Sequence, residues 1–357
     1  MKKHNLKYYK IPSIANSRIG CLPYSLFWIF LLLLVCIGFW YYLKTSQTRN
    51  LLIDQLAIFA IAILIDLGIG DPPERVEKFY PIVWISRLIN FFDRLTRRGN
   101  ARKEKIWGAV YAMFTVSVFS LPCLLLIFIP YELIYVILGS LIFKMTFTIK
   151  GLERYGIKAM EAVNLEDKRE AVDKIVSRDV TDLDMEHLNS AAIESVAENT
   201  TDSVIAPFFY FALFGVFGAM VYRVLNTLDA VVGYKTTRHI NFGWFSAKAD
   251  DMMNYIPERI AAGLIKLTSD TRRLRRRSYK KTETERVHLT IAAMSHALNV
   301  KLEKIGHYSV EEISFKAARS EHIGAAIRIA KRSTFLFAFV CSAFMTAIYF
   351  LVSVLLR

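Results

Sequence analysis

The residue types best suited to chemistry gather in Ala192-Ile193-Glu194-Ser195-Val196-Ala197-Glu198-Asn199-Thr200-Thr201-Asp202. On a helix Glu194, Glu198 and Asp202 fall at i, i+4 and i+8, so three carboxylates share one face just ahead of an apolar run. Like charges at that spacing repel, and the arrangement asks for a cation. Carboxylates combined with substrate phosphates are the usual way to hold Mg²⁺. The plainer alternative is a solvated acidic face neutralised by nearby Lys and Arg.

A second stretch, residues 223–235, places Asn226 and Asp229 three apart on one helix face directly after that apolar run. Ionisable groups at membrane depth are costly and point to function. Gly233-Tyr234-Lys235, followed by Arg238, supplies a turn and two cations able to hold phosphate or carboxylate. A glycine helix end with basic neighbours explains those residues more blandly, but it leaves Asn226 and Asp229 unexplained. A third stretch, residues 241–251, ends in Asp250-Asp251 beside Phe242, Trp244 and Phe245. The acidic pair could add metal ligands or a base; the alternative is a helix at the membrane interface, where such aromatics are expected. No GxxxxGK[ST], strand-borne GxGxxG, HExxH or GxSxG occurs, and His239, His288, His296 and His307 form no ligand spacing.

The elements that must position these groups are membrane helices. The chain has 357 residues, 54% of them hydrophobic, and a net charge of +14. That composition excludes a disordered or fibrous protein and exceeds the apolar usage of an ordinary soluble globule. Residues 19–43, 106–131, 203–222 and 333–356 carry no charge, and about 20 apolar residues span a bilayer. The run at 19–43 is too long for a signal peptide and reads as a retained anchor. Cys21, Cys36, Cys123 and Cys341 all sit in apolar runs without CxxC spacing and read as buried hydrophobes.

Charge sets the orientation. Residues 1–18 carry five Lys/Arg and no acid, which places the N-terminus in the cytoplasm. Residues 51–70 return, nine Lys/Arg follow between 75 and 105, residues 106–131 cross outward, and residues 133–149 come back with Lys144 expected to snorkel. Residues 151–202 read as a cytoplasmic helical insert, with a helix starting at Thr181-x-x-Asp184 and running to about Thr200. A single crossing at 203–222 would put the seven cations of 272–281 outside, so a re-entrant hairpin broken at Pro207 and Gly215/Gly218 is preferred. A second crossing within 255–267 would satisfy parity equally. The basic run beside membrane spans reads as an anchor to anionic lipid headgroups, not a nucleic-acid site. The expectation is an all-α polytopic integral membrane protein of about five spans. A basic tail and extra anchor at 1–50 precede one membrane domain at 51–357, with site segments and the basic stretch at 226–330.

Four ordered blocks resemble the adenosylcobinamide-phosphate synthase family of cobalamin biosynthesis (CobD/CbiB). They are Asp66-Leu67-Gly68-Ile69-Gly70-Asp71-Pro72; Ser177-Arg178-Asp179 leading to Glu194-Ser195-Val196-Ala197-Glu198-Asn199-Thr200-x-Asp202 and Ala206-Pro207; Asn226-Thr227-Leu228-Asp229-x-x-Val232-Gly233-Tyr234; and Phe242-Gly243-Trp244 with Asp250-Asp251. The resemblance implies a multi-span cell-membrane enzyme with a cytoplasmic site. It would use ATP and Mg²⁺ to join aminopropanol or its O-phosphate to the propionate carboxyl of the corrinoid adenosylcobyric acid. That chemistry suits the inventory: Glu194, Glu198 and Asp202 as metal ligands, Glu198 and Asp229 in catalysis with Asp229 as ligand or base, and Lys235 and Arg238 on phosphate. Asp71, Asn199, Asn226, Tyr234, Asp250 and Asp251 would position substrate. The sequence departs from the family pattern at Tyr80-Pro81-Ile82, where His-Pro-Val is usual, at Ser86, where Gly is usual, and before Ala292-Ala293-Met294, where a Ser-Pro-Asn is missing. A paralogue forming another amide, and a non-enzymatic membrane sensor or scaffold, are the alternatives.

Overall fold

The computed structural model describes residues 51–71, 80–234, 236–269, 287–311 and 313–355. The anchor at 19–43, Lys235 and the basic run at 272–281 lie outside the described residues.

Helices dominate, in the order α1 (Leu51–Gly68), α2 (Pro81–Leu95), α3 (Ala101–Ser120, continued by a 3₁₀ segment Leu121–Phe128) and α4 (Glu132–Lys144). Next come α5 (Lys150–Glu161), α6 (Leu165–Asp173), α7 (Met185–Thr200), a π turn (Thr201–Ile205) and α8 (Ala206–Val232). The chain continues through α9 (Trp244–Met253), α10 (Tyr255–Thr268), α11 (Leu289–Leu298), a small antiparallel pair β1 (Leu302–Lys304) and β2 (Tyr308–Val310), and α12 (Ser320–Leu355). Among the described residues three helical stretches, Ala101–Phe128, Met185–Val232 and Ser320–Leu351, are long and apolar enough to cross a membrane.

The core has two storeys. One packs α1, α3, α4 and the two arms of α8 around Phe59, Phe143, Phe147, Phe208 and Phe211, with Phe143 and Phe211 ring centroids 4.0 Å apart. Its outer surface stays apolar: Leu64, Leu125, Phe128, Leu133, Phe339 and Leu351 are exposed, the pattern of a face that meets lipid. The other storey packs α7 between α5, α6, α11, the β-pair and the first turns of α12, around Ala159, Leu188, Ile193, Ile291 and Ile323. The charged insert therefore folds into helices that share this second core with α10, α11, the β-pair and α12, and α12 runs through both storeys.

Local chemistry sets the helix starts. Asp184 accepts the His187 N–H at 2.9 Å, Asn164 that of Asp167 at 2.8 Å and Asn100 that of Lys103 at 3.0 Å, each satisfying a free amide of a first turn. The cap expected around Thr181–Asp184 is thus Asp184, and Thr181 belongs to the preceding turn with Asp179.

Lys144 corrects an expectation. It does not snorkel: Nζ is buried against Asp66 at 2.9 Å and Asp71 at 3.0 Å, and accordingly cannot reach the interface. Asp66 also accepts the Ile149 and Lys150 amides at 2.9 Å, capping α5 from 83 residues away. A buried cation held by two carboxylates is stable only because each carboxylate has further donors.

The chain between Ser203 and Tyr222 does not run straight. Phe214 and Gly215 leave helical geometry, Gly215 at φ 62° and ψ −153°, a conformation open to glycine. The second arm of α8 then folds back along the first. Tyr210 and Tyr222 stack with centroids 5.4 Å apart, whereas twelve residues of straight helix would separate them by about 18 Å. A Cβ on Gly218 would stand 2.6 Å from the Tyr210 backbone oxygen, so only glycine permits this approach.

Candidate active site

The fold-back brings together residues that sequence separates. Glu198 closes α7, Asp202 sits in the π turn that locally widens the helix, and the returning arm of α8 carries Asn226 and Asp229 back to Asp202. Asn226 lies between two acids: its amide reaches Asp202 and donates to Asp250 Oδ1 at 3.3 Å. α9 delivers Asp250 and Asp251. It is held by Tyr210, whose hydroxyl donates to the Met253 carbonyl at 2.8 Å, and by Asn254, which donates to Asp250 at 3.0 Å and accepts from Tyr222 at 2.9 Å.

These groups line a cavity of about 600 Å³, with Glu198, Asp202, Asp229, Asp250, Asp251 and His288 on its walls. That volume is typical of small-molecule sites. Glu258 from α10 completes the rim: it accepts the Leu289 N–H at 2.7 Å and pairs with His288 Nδ1 at 3.2 Å, while His288 Nε2 stands 4.0 Å from Glu198.

Electrostatics follow from crowding acids out of water. Burial, then the charges of Asp202 and Asp229, push the Asp250 carboxyl well above the usual carboxylate range. The hydrogen bond that His288 donates to the Glu258 carboxylate pushes His288 up to about 9 against its burial, aided by Glu198. Burial would raise Glu258, but His288 and the Leu289 amide hold it below its ordinary value. The cavity is thus acid-rich. Lys248, on its wall, is paired with Asp251 at 2.9 Å.

The sequence profile of the family described as CobD/Cbib protein matches residues 59–333, from α1 into α12 and across every cavity residue. The chain belongs to the CobD/CbiB family. It is 39% identical over 276 residues to the probable cobalamin biosynthesis protein CobD of Thermococcus kodakarensis, covering 77% of this chain and 90% of that one. Identity is 40% over 250 residues to the probable cobalamin biosynthesis protein CobD of Pyrococcus furiosus, covering 70% and 85%. The cobalamin biosynthesis protein CobD of Dehalococcoides mccartyi is 34% identical over 271 residues, covering 72% and 87%. No solved structure matches.

Within this CobD/CbiB fold the three-carboxylate face divides. Glu198 and Asp202 line the cavity. Glu194 does not: Oε1 accepts from Ser190 at 2.7 Å, and Oε2 from Arg178 and from the Tyr308 hydroxyl, each at 2.9 Å. Its lone pairs are spent on tying α7 to the segment before it and to the β-pair. Asn199 is likewise internal, donating to the Ser195 carbonyl at 2.9 Å and accepting from Ser203 at 2.8 Å. Arg238 donates to Asp93 at 2.8 Å. Asp71 accepts from Lys144 at 3.0 Å and from Thr148 at 2.7 Å. Tyr234 lines the cavity, and Asn226 sits against its deep acids. His288 and Glu258 escaped sequence reasoning, since no spacing rule connects Glu198 with a histidine 90 residues later.

Among the described residues no three His, Cys, Asp or Glu side chains come close enough to hold a metal ion by themselves. Mg²⁺ does not require that. It keeps several waters and is held by one or two carboxylates plus substrate phosphates, and the mutual repulsion of Asp202, Asp229 and Asp250 is what such an ion would relieve. The donor set fits Mg²⁺ brought with a phosphate.

Proposed function

We propose that this chain is an ATP-dependent acid–amine ligase of cobalamin biosynthesis. It joins aminopropanol or its O-phosphate to the propionate carboxyl of adenosylcobyric acid, giving adenosylcobinamide or its phosphate. Family membership supports the pathway. The observation that carries the chemistry is the cavity itself, which gathers the carboxylates of Glu198, Asp202, Asp229, Asp250, Asp251 and Glu258 with His239 and His288 in about 600 Å³. A corrinoid is larger than that volume, so only its carboxyl arm enters, with the amine and the phosphates.

In this reading Asp202 and Asp250 hold Mg²⁺, with Glu198 completing the charge on the rim. Bound Mg²⁺ and ATP would supply charge neutralisation and the phosphoryl group that activates the carboxyl and would leave as phosphate as the C–N bond forms. Asp229 accepts the proton that the incoming ammonium must lose. Asn226 keeps Asp202 and Asp250 oriented. His288, held protonated by Glu258, faces the anions entering the mouth of the cavity. α8 is re-entrant, its fold-back tip at Gly215 lying within the bilayer, so the cavity opens to the cytoplasm beside the charged insert. Anionic lipid headgroups would bind the basic run at 272–281.

The test is complementation. In a strain lacking its own cobinamide-phosphate synthase, the gene is expected to restore growth that depends on cobyric acid, and Asp229→Asn to remove it. Failure to rescue, with the protein shown in the membrane, would refute the ligase assignment.

A further inference from the structure

Arg223 is a cation next to the cavity residue Asp202 that has no hydrogen-bond or ion-pair partner among the described residues. It lies on the returning arm of α8, where Arg223, Asn226 and Asp229 recur every three residues along one face. Its guanidinium makes no hydrogen bond and no ion pair among the described residues; Nε is sealed from solvent, and only the terminal nitrogens remain reachable. Asp202, Asp71, Tyr80 and Tyr222 surround it beyond ion-pair contact.

The neighbouring cations behave differently. Arg178 is held by Glu194, Arg238 by Asp93 and Lys144 by Asp66 and Asp71. A guanidinium withdrawn from water without a counter-ion is costly, and such a cost persists where a ligand relieves it. The flanking acids do not supply that relief. Asp71 is already committed to Lys144 and Thr148, and Asp202 accepts from Asn226 and faces the other cavity acids.

We propose that Arg223 is the oxyanion seat of the site, its planar fork receiving a phosphomonoester or carboxylate of the substrate. The fork matches either group through two parallel N–H···O bonds. The seat lies about 9 Å along the helix from Asp229, since six residues separate them at about 1.5 Å each. An anion held there has its far end within reach of the carboxylates that handle the amine and the metal. Only the identity of the oxyanion rests on the ligase reading. On that reading it is the phosphate of aminopropanol phosphate or ATP, or the propionate of the acid.

The experiment uses the full chain in lipid nanodiscs, with inorganic phosphate and acetate as probes and without any ligation assay. Glyoxal modification of arginines is mapped by mass spectrometry. Phosphate is expected to slow modification of Arg223 about tenfold or more, the scale of a lost charge-assisted hydrogen bond, and to leave the paired Arg178 and Arg238 unchanged. Protection by acetate and not by phosphate would assign the seat to the carboxylate source. No protection by either, or equal protection at all three arginines, would overturn the proposal and leave Arg223 a diffuse counter-charge. Arg223→Gln is expected to lose the phosphate-dependent rise in thermal midpoint. If that variant does not fold, the labelling of wild-type protein still decides. Protection without complementation would keep the seat and remove the ligase reading; the converse would do the reverse.

Discussion

Glu194 and Glu198 are one helical turn apart, yet the fold gives them opposite tasks, and Gln substitutions separate them. Glu194 is 4% exposed and accepts from Ser190, Arg178 and Tyr308. Glu194→Gln removes the charge from a buried pair and puts an amide donor against one of these donors. Breaking a buried ion pair costs about 3–5 kcal/mol, and because the Arg178 side chain keeps 19% exposure the low end applies. About 3 kcal/mol lowers the folded-to-unfolded ratio by more than a hundredfold. Glu198, 44% exposed at its side chain, has His288 at 4.0 Å as its one ion-pair partner among the described residues, and its loss is expected to cost less than about 1 kcal/mol. The assay pairs the thermal midpoint of detergent-solubilised protein with complementation at matched membrane levels. Glu194→Gln should lower the midpoint clearly and retain function per folded molecule within a few-fold. Glu198→Gln should leave the midpoint almost unmoved and abolish rescue. The reverse pattern, a stable inactive Glu194→Gln beside a functional Glu198→Gln, would refute the division of the acidic face.

Lys144→Met should leave Asp66 and Asp71 uncompensated and cost about 3–5 kcal/mol, seen as a lower thermal midpoint that Asp71→Asn partly restores. The Glu258–His288 pair makes stability depend on pH. His288 is raised from 6.5 to about 9, so its contribution is complete below about pH 6.5 and disappears as pH rises through about 9. Glu258, depressed, contributes above its unfolded value and loses that contribution only under acid. With the His288 side chain 60% exposed, screening limits the effect to about 1 kcal/mol, and His288→Gln should flatten the decline of the thermal midpoint between pH 6.5 and 9. Cysteines replacing Tyr210 and Tyr222 should cross-link readily if α8 folds back, and a straight helix would leave them uncrosslinked. Gly215→Val, forced to a φ of 62°, should reduce that cross-linking.

Much of this protein is readable along the chain because it depends on neighbours a few residues apart. Charge-free stretches mark α3, α8 and α12, Asp184 announces α7, and the free buried thiols of Cys123 and Cys341 follow from their apolar surroundings. The break at Gly215 also has a local cause, since that backbone conformation is open to glycine, and so do the acids that sit one helical turn apart. What sequence spacing could not supply is which side of a carboxylate meets what. Glu194 and Glu198 share a face on paper, but the β-pair and Arg178 arrive from elsewhere to occupy one of them and leave the other open. Lys144 meets Asp66, Glu258 meets His288, and Asn226 bridges Asp202 and Asp250 across separations that no periodicity encodes. Helix propensity and hydropathy act through short segments of chain, whereas pairing and desolvation of charge act through space. The first set where this protein can lie; the second, decided only when the helices packed, chose which acids its cavity keeps.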